Sequence, residues 1–210
     1  MPFINRCGGG AGKTHGIYDI ISQISGFQDV ITINGKTRNN ILPQPSNFSD
    51  DTKYFKEESS YKMNYGEVND AENGMALILT PAATSSPGNN STTISIEFDP
   101  RSASEEVYLL ALRVKANANI NPKYTPSVGL ERYMEGGSST DVITDYIPFR
   151  PLDEFRTYYF VFKKPPKDYV YKVKVVTSST GNRPTYYFDW VALYNITGAE
   201  VNAENMMLCV

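Results

Sequence analysis

The residue types able to do chemistry are few and unevenly placed. His15 is the only histidine, which removes most metal sites, serine-type triads and imidazole acid–base chemistry together. Cys7-Gly8-Gly9-Gly10-Ala11-Gly12-Lys13-Thr14 approaches the spacing of a phosphate-binding loop, in which backbone N–H groups cradle phosphates and a lysine reaches them. The first glycine of such a loop would fall on Cys7. Only Phe3-Ile4 stands where a buried strand should precede it, and Gly16 follows where a helix should start. The stretch reads instead as a glycine-loosened arm. Glu97, Asp99, Glu131, Glu135, Asp145 and Asp189 could supply the carboxylate pair of a glycoside hydrolase, but nothing in their spacing brings two of them together.

Asp189 stands inside an otherwise apolar run, Tyr186-Tyr187-Phe188-Asp189-Trp190-Val191-Ala192-Leu193. A carboxylate there must be paired, hydrogen-bonded or metal-bound. Either it sits at a bulge or sheet edge and accepts backbone N–H groups, or it is an oxygen ligand of a structural Ca2+, with Asp50, Asp51 and Glu72 as candidate partners. No other cofactor is implied. The chain also carries 15 tyrosines, 10 phenylalanines and one tryptophan. Most must be core. Tyr124, Tyr133 and Tyr146 flank polar loops and Arg132, and these four residues are the candidates for stacking on a sugar ring and hydrogen-bonding its hydroxyls.

The elements that would position these residues are short strands. Of 210 residues, 40% are hydrophobic and 20% charged, slightly under the usual globular shares. Ser, Thr, Asn, Gly, Pro and Tyr fill the difference, which favours strands and turns. The formal charge of -3 excludes a strongly basic nucleic-acid binder. No apolar run approaches the roughly 20 residues of a membrane span, so no membrane insertion is expected. Met1-Pro2-Phe3-Ile4-Asn5-Arg6 is too short and polar for a secretory signal. Cys7 and Cys209 therefore read as free thiols, and the three Asn-x-Ser/Thr triplets as ordinary loop and strand residues.

Four regions follow along the chain. Residues 1–14 form the glycine-rich arm. Residues 15–45 form a small β segment or linker, with β signals at 16–20 and 29–33 ending at the turn dipeptide Asn34-Gly35. Residues 46–197 hold repeated strands. Residues 198–210 are a C-terminal tail. In the large region Ile94, Ile96 and Phe98 alternate with polar residues, and Tyr169, Tyr171, Val173 and Val175 alternate with Lys172 and Lys174. Residues 102–115 fit a capping box followed by helical spacing, yet they alternate as well; neighbouring strands favour strand here. The fold class expected is all-β, an antiparallel β-sandwich.

Residues 70–194 resemble the β-jelly-roll domains of carbohydrate-binding and galactose-binding-like modules. The resemblance rests on Gly74-Met75-Ala76-Leu77-Ile78-Leu79, Val107-Tyr108-Leu109-Leu110, Pro151-Leu152-Asp153-Glu154-Phe155-Arg156-Thr157-Tyr158 and the Tyr186–Leu193 run, in that order. It implies a jelly roll, and it implies that the aspartate at position 189 helps hold a Ca2+. The N-terminus is similar to short virion proteins of tailed bacteriophages, through Met1-Pro2, Asn5, Cys7-Gly8-Gly9-Gly10, Gly12-Lys13, Gly16-Ile17-Tyr18-Asp19 and residues 26–33. That resemblance implies a virion protein assembled in the host cytoplasm, a head fibre or tail decoration. Its arm (Phe3, Ile4, Asn5, Cys7, Gly8, Gly9, Gly10) would attach to other virion proteins. The expectation is a non-enzymatic homo-oligomer, trimer or dimer, whose jelly roll contacts host or environmental glycans. The alternatives are a carbohydrate-binding module of a bacterial polysaccharide-processing system and a glycoside hydrolase.

Overall fold

The computed structural model describes residues 21–22, 24–33, 35–42, 55–57, 61–81, 92–98, 104–117, 125–133, 140–142, 146–164, 170–177, 184–199 and 206–209. The arm residues Phe3, Ile4, Asn5, Cys7, Gly8, Gly9 and Gly10 lie outside them. The described elements are strands: β1 (Val30–Ile33), β2 (Lys36–Asn39), β3 (Phe55–Glu57), β4 (Tyr61–Glu67), β5 (Met75–Pro81), β6 (Thr92–Phe98), β7 (Glu106–Ala116), β8 (Ser127–Tyr133), β9 (Thr140–Val142), β10 (Ile147–Pro148), β11 (Arg156–Lys164), β12 (Val170–Thr177), β13 (Tyr186–Asn195) and β14 (Met206–Cys209).

Two antiparallel sheets face each other. One runs β10-β8-β12-β6-β3, with β9 also on β8; the other runs β14-β11-β7-β13-β5-β4. Eight of these strands alternate between the sheets in sequence, except at the step from β8 to β10, so that β5-β13-β7-β11 lies over β6-β12-β8-β10. This is the double Greek key of a jelly roll, and the chain is an antiparallel β-sandwich of that type. Period-two alternation builds the interior. Leu110, Leu112 and Val114 of β7, Phe160 and Phe162 of β11, and Phe188 and Leu193 of β13 meet Val128, Leu130, Val173 and Val175 of the other sheet in one buried cluster.

The ambiguity at residues 102–115 has a physical cause. Tyr108 through Leu112 of β7 are all buried, so this stretch of the strand shows no polar face. Its inward residues enter the sandwich. Its outward ones, Leu109 and Ala111, lie beneath a third layer made by residues 21–42. Ile21, Ile24, Ile31 and Ile33 of that layer pack on Leu109, Ala111, Tyr159, Val161, Trp190, Ala192 and Tyr194. The β1–β2 hairpin turns at Gly35, whose φ of 72° suits glycine.

Within the span read as a small β segment or linker at 15–45, the described part holds the β1–β2 hairpin. The β segment exists, but it is a packed layer. Within the tail at 198–210, Met206–Cys209 form β14, which extends the sheet beside β11.

Polar contacts fix the layer as well. The Tyr159 hydroxyl donates to Ile24 O at 3.1 Å and the Tyr194 hydroxyl to Gln28 O at 2.5 Å. Asn40 Oδ1 accepts from Leu193 N–H at 3.0 Å, and Ile41 N–H donates to Leu193 O at 2.8 Å. These bonds cover the edge of β13 beyond Phe188, where its pairing with β5 ends.

Burial, then the nearby Asp29 charge, raises the Tyr194 phenol well above its ordinary value. Because the folded value exceeds the unfolded one, this contribution is whole below about pH 10 and is lost as pH climbs toward the folded value. Alkaline titration is expected to loosen the layer from about pH 10 upward. The emission of Trp190, the only tryptophan, should report it as a red shift. Tyr194→Phe should flatten that slope at a cost of about 1 kcal/mol from the lost hydrogen bond. An unchanged slope would assign the transition to another group.

Candidate functional site

Two places gather the chemically able side chains, one on each outer face of the sandwich. The first surrounds Asp189. The register of β13 against β7 shifts between Phe188 and Trp190, so Asp189 sits in a bulge. Its side chain is 0% exposed and forms an ion pair with Arg113 of β7. Its two oxygens accept the backbone N–H of Glu72 at 3.1 and 3.0 Å. Glu72 lies in the β4–β5 connection, which bends back over the sheet through Val68 N–H to Gly74 O at 2.9 Å. The Glu72 carboxylate in turn accepts Phe27 N–H at 3.1 Å from both oxygens. One chain of contacts thus runs from β7 through the bulge to the N-terminal layer.

The surrounding cations are engaged as well. The Arg113 guanidinium lies 4.7 Å from the Phe155 ring centre. Lys115 lies 4.6 Å from the same centre and 5.3 Å from that of Tyr187. Lys115 also pairs with Asp70. The hydrogen bond from Lys115 holds the Asp70 carboxyl below its ordinary value against the opposing effect of burial. Burial draws Arg113 down from its ordinary value, while the charges of Glu72 and Asp70 work the other way.

Of the two roles expected for Asp189, the structure shows the bulge that accepts backbone N–H. The residues around it do not fit a Ca2+. A guanidinium supplies the countercharge, Glu72 turns its N–H toward the carboxylate, and no group of three His, Cys, Asp or Glu side chains suited to a metal occurs among the described residues. Asp50 and Asp51 lie outside those residues. The node is a structural rivet.

The second place is the outer face of β10-β8-β12-β6-β3. Val128 and Leu130 of β8 point into the sandwich, so Gly129 and Glu131 face outward. The Tyr146 ring lies over Gly129. A Cβ at position 129 would stand 2.7 Å from that ring, so only glycine admits it there. The Tyr146 hydroxyl donates to the carboxylate of Glu131, which is 5% exposed. The ring is held at both ends and remains partly exposed.

Tyr146 is therefore the one of the four expected sugar contacts that the structure places on this face. Arg132 shares the phase of Val128 and Leu130 and belongs to the other side of β8, so it does not join Tyr146. Neighbours in sequence on a strand point opposite ways. Tyr124 and the Tyr133 side chain lie outside the described residues. The sequence reading missed Gly129, although a glycine inside an alternating strand is itself a signal of close approach. It counted Glu131 only among six carboxylates of which no pair was seen to converge. Glu131 and Asp189 lie toward opposite outer faces, so these two carboxylates cannot flank one glycosidic bond.

By sequence, no protein-family model and no curated protein matches the chain. By structure, it is similar to the enzymatically active domain of tailspike protein 4 from bacteriophage CBA120, with 13% identity over 75% of this chain and 21% of that chain and a TM-score of 0.54. This chain thus spans about a fifth of the tailspike chain, and the likeness is one of fold. Lesser similarity is found to TmCBM61 in complex with beta-1,4-galactotriose, at 12% identity over 75% of this chain and 99% of that chain with a TM-score of 0.46. The CBM22-1 xylan-binding domain of Paenibacillus barcinonensis Xyn10C gives 14% identity over 69% and 87% of the two chains, with a TM-score of 0.47.

Proposed function

We propose that the protein is a glycan-binding jelly-roll module of a phage virion, a head fibre or tail decoration that binds without catalysis. The observation that carries the binding half is the Tyr146 ring. It is braced on Gly129, fixed by Glu131 and partly open to solvent on a sheet face. A ring pinned in this way offers a flat apolar platform whose ordering has already been met by folding, so a pyranose can stack on it at little further entropic cost. The polar residues beside it can bond hydroxyls directly or through water.

Support for the virion half comes from the resemblance of the first 35 or so residues to short virion proteins. The partners proposed are other virion proteins and host or environmental glycans. A trimer or dimer would raise weak single-site binding through avidity.

A glycan array followed by titration tests the binding half. Tyr146→Ala is expected to weaken binding roughly five- to twelvefold, as the loss of one aromatic contact of about 1–1.5 kcal/mol implies. Gly129→Val should weaken it similarly by lifting the ring. No binding at millimolar sugar would remove the binding half. Mass spectrometry of purified virions tests the other half; absence from the particle would favour a module of a bacterial polysaccharide-processing system.

A further inference from the structure

We infer that the glycan taken by the Tyr146 face is an anionic polysaccharide lying across the strands, along the row of positions Gly129, Lys174, Ser95 and Lys56; this rests on the glycan-binding reading above. The row follows from the strand register. Gly129 of β8 stands opposite Lys174 of β12, Lys174 opposite Ser95 of β6, and Ser95 opposite Lys56 of β3. Val173 and Val175 are core residues, 1% and 6% exposed, so backbone positions 172 and 174 belong to the opposite face, the one that carries Tyr146.

Neighbouring rows differ in charge. The row beneath Tyr146 holds two lysine positions and no acid. The next holds Glu131, Lys172 and Glu97, one lysine between two acids. A neutral glycan has no cause to prefer either row, whereas an acidic one is drawn to the first and repelled from the second. The dimensions agree. Adjacent strands stand about 4.8 Å apart, close to the length of one pyranose unit. Three such steps, about 14 Å, take a chain from the ring on Gly129 to the position of Lys56. One sugar would stack on Tyr146 while acid groups further along meet the lysine positions. A uronate carboxylate and a sulfate would satisfy this chemistry alike.

Affinity electrophoresis of the full chain at about 0.15 M salt, where long-range attraction is screened, tests the inference with three polymers: polygalacturonate, dextran sulfate and dextran. Retardation by one or both acidic polymers at a concentration at least tenfold below that needed for dextran is expected. Which acid acts separates the carboxylate source from the sulfate one. Lys56→Gln combined with Lys174→Gln should weaken acidic-polymer binding by roughly four- to twenty-fivefold, at about two- to fivefold for each lysine. Lys172→Gln, in the mixed row, should change it less than twofold. Tyr146→Ala should also lose binding; retention without the ring would mean bulk charge attraction and overturn the inference. Equal losses from Lys172→Gln and Lys174→Gln would overturn the row. Binding to dextran as strong as to the acids would overturn the anionic class while leaving the glycan-binding reading in place. Silence toward all three polymers and across the glycan array would remove both.

Discussion

Asp189→Ala is expected to destabilise the protein by about 3–5 kcal/mol, the usual result of removing one member of a buried ion pair. Two losses combine. The Arg113 guanidinium, with side-chain exposure of 24%, keeps its charge but loses its ionic partner. The Glu72 N–H loses both oxygens that accept it. Asp189→Asn retains an acceptor for Glu72 and should cost distinctly less. Arg113→Met reverses the problem, leaving a fully buried carboxylate with only a backbone donor. The double variant Arg113→Met with Asp189→Asn should therefore be milder than the two single costs added together, since neither charge is then stranded. Urea unfolding with an unchanged slope would give each value as a midpoint shift. A cost below 1 kcal/mol for Asp189→Ala would show that the rivet carries no load.

Ile33→Ala should be nearly as severe, about 2–4 kcal/mol, because Ile33 is 2% exposed inside the cluster that joins the hairpin to the sheet. A segment merely draped over the surface would respond by less than 0.5 kcal/mol. Trp190 makes the distinction visible. It is 1% exposed beneath the layer and meets Phe27 edge-on with ring centres 6.3 Å apart. Loosening the hairpin should wet the indole and shift its emission to the red. A shift that precedes loss of the far-ultraviolet β signal would make the layer a separately opening unit. Coincident transitions would make layer and sandwich one cooperative body, and a negligible midpoint change would sink the packed-layer account.

Much of the sandwich was legible because one-sided burial leaves period-two alternation, as at Val173 and Val175. Strand β7 was not legible that way. Covered on both faces, Tyr108–Leu112 became a continuous apolar run that helix and strand explain equally well. Ile31 and Ile33 announced a buried face, but local sequence cannot name the Leu109 and Trp190 surface it covers. The Asp189 bulge could be inferred from a carboxylate among apolar neighbours; its partner Arg113, 76 positions earlier in the chain, could not. Tyr146 was legible as a candidate, whereas its support was not. Gly129 and Glu131 matter only because a loop 15 residues downstream of Glu131 lays the ring back over β8.

The layer over β7, β11 and β13 gives the module a front and a back. Ile21 and Ile24 lie against the outer surface of one sheet, while the Tyr146 ring lies on the outer surface of the other, with the sandwich between them. Mooring through the N-terminal side and capture of a ligand would thus not compete for space. On the proposed function, copies planted shoulder to shoulder, like bristles rooted in a common base, would all keep the Tyr146 face turned to the surroundings.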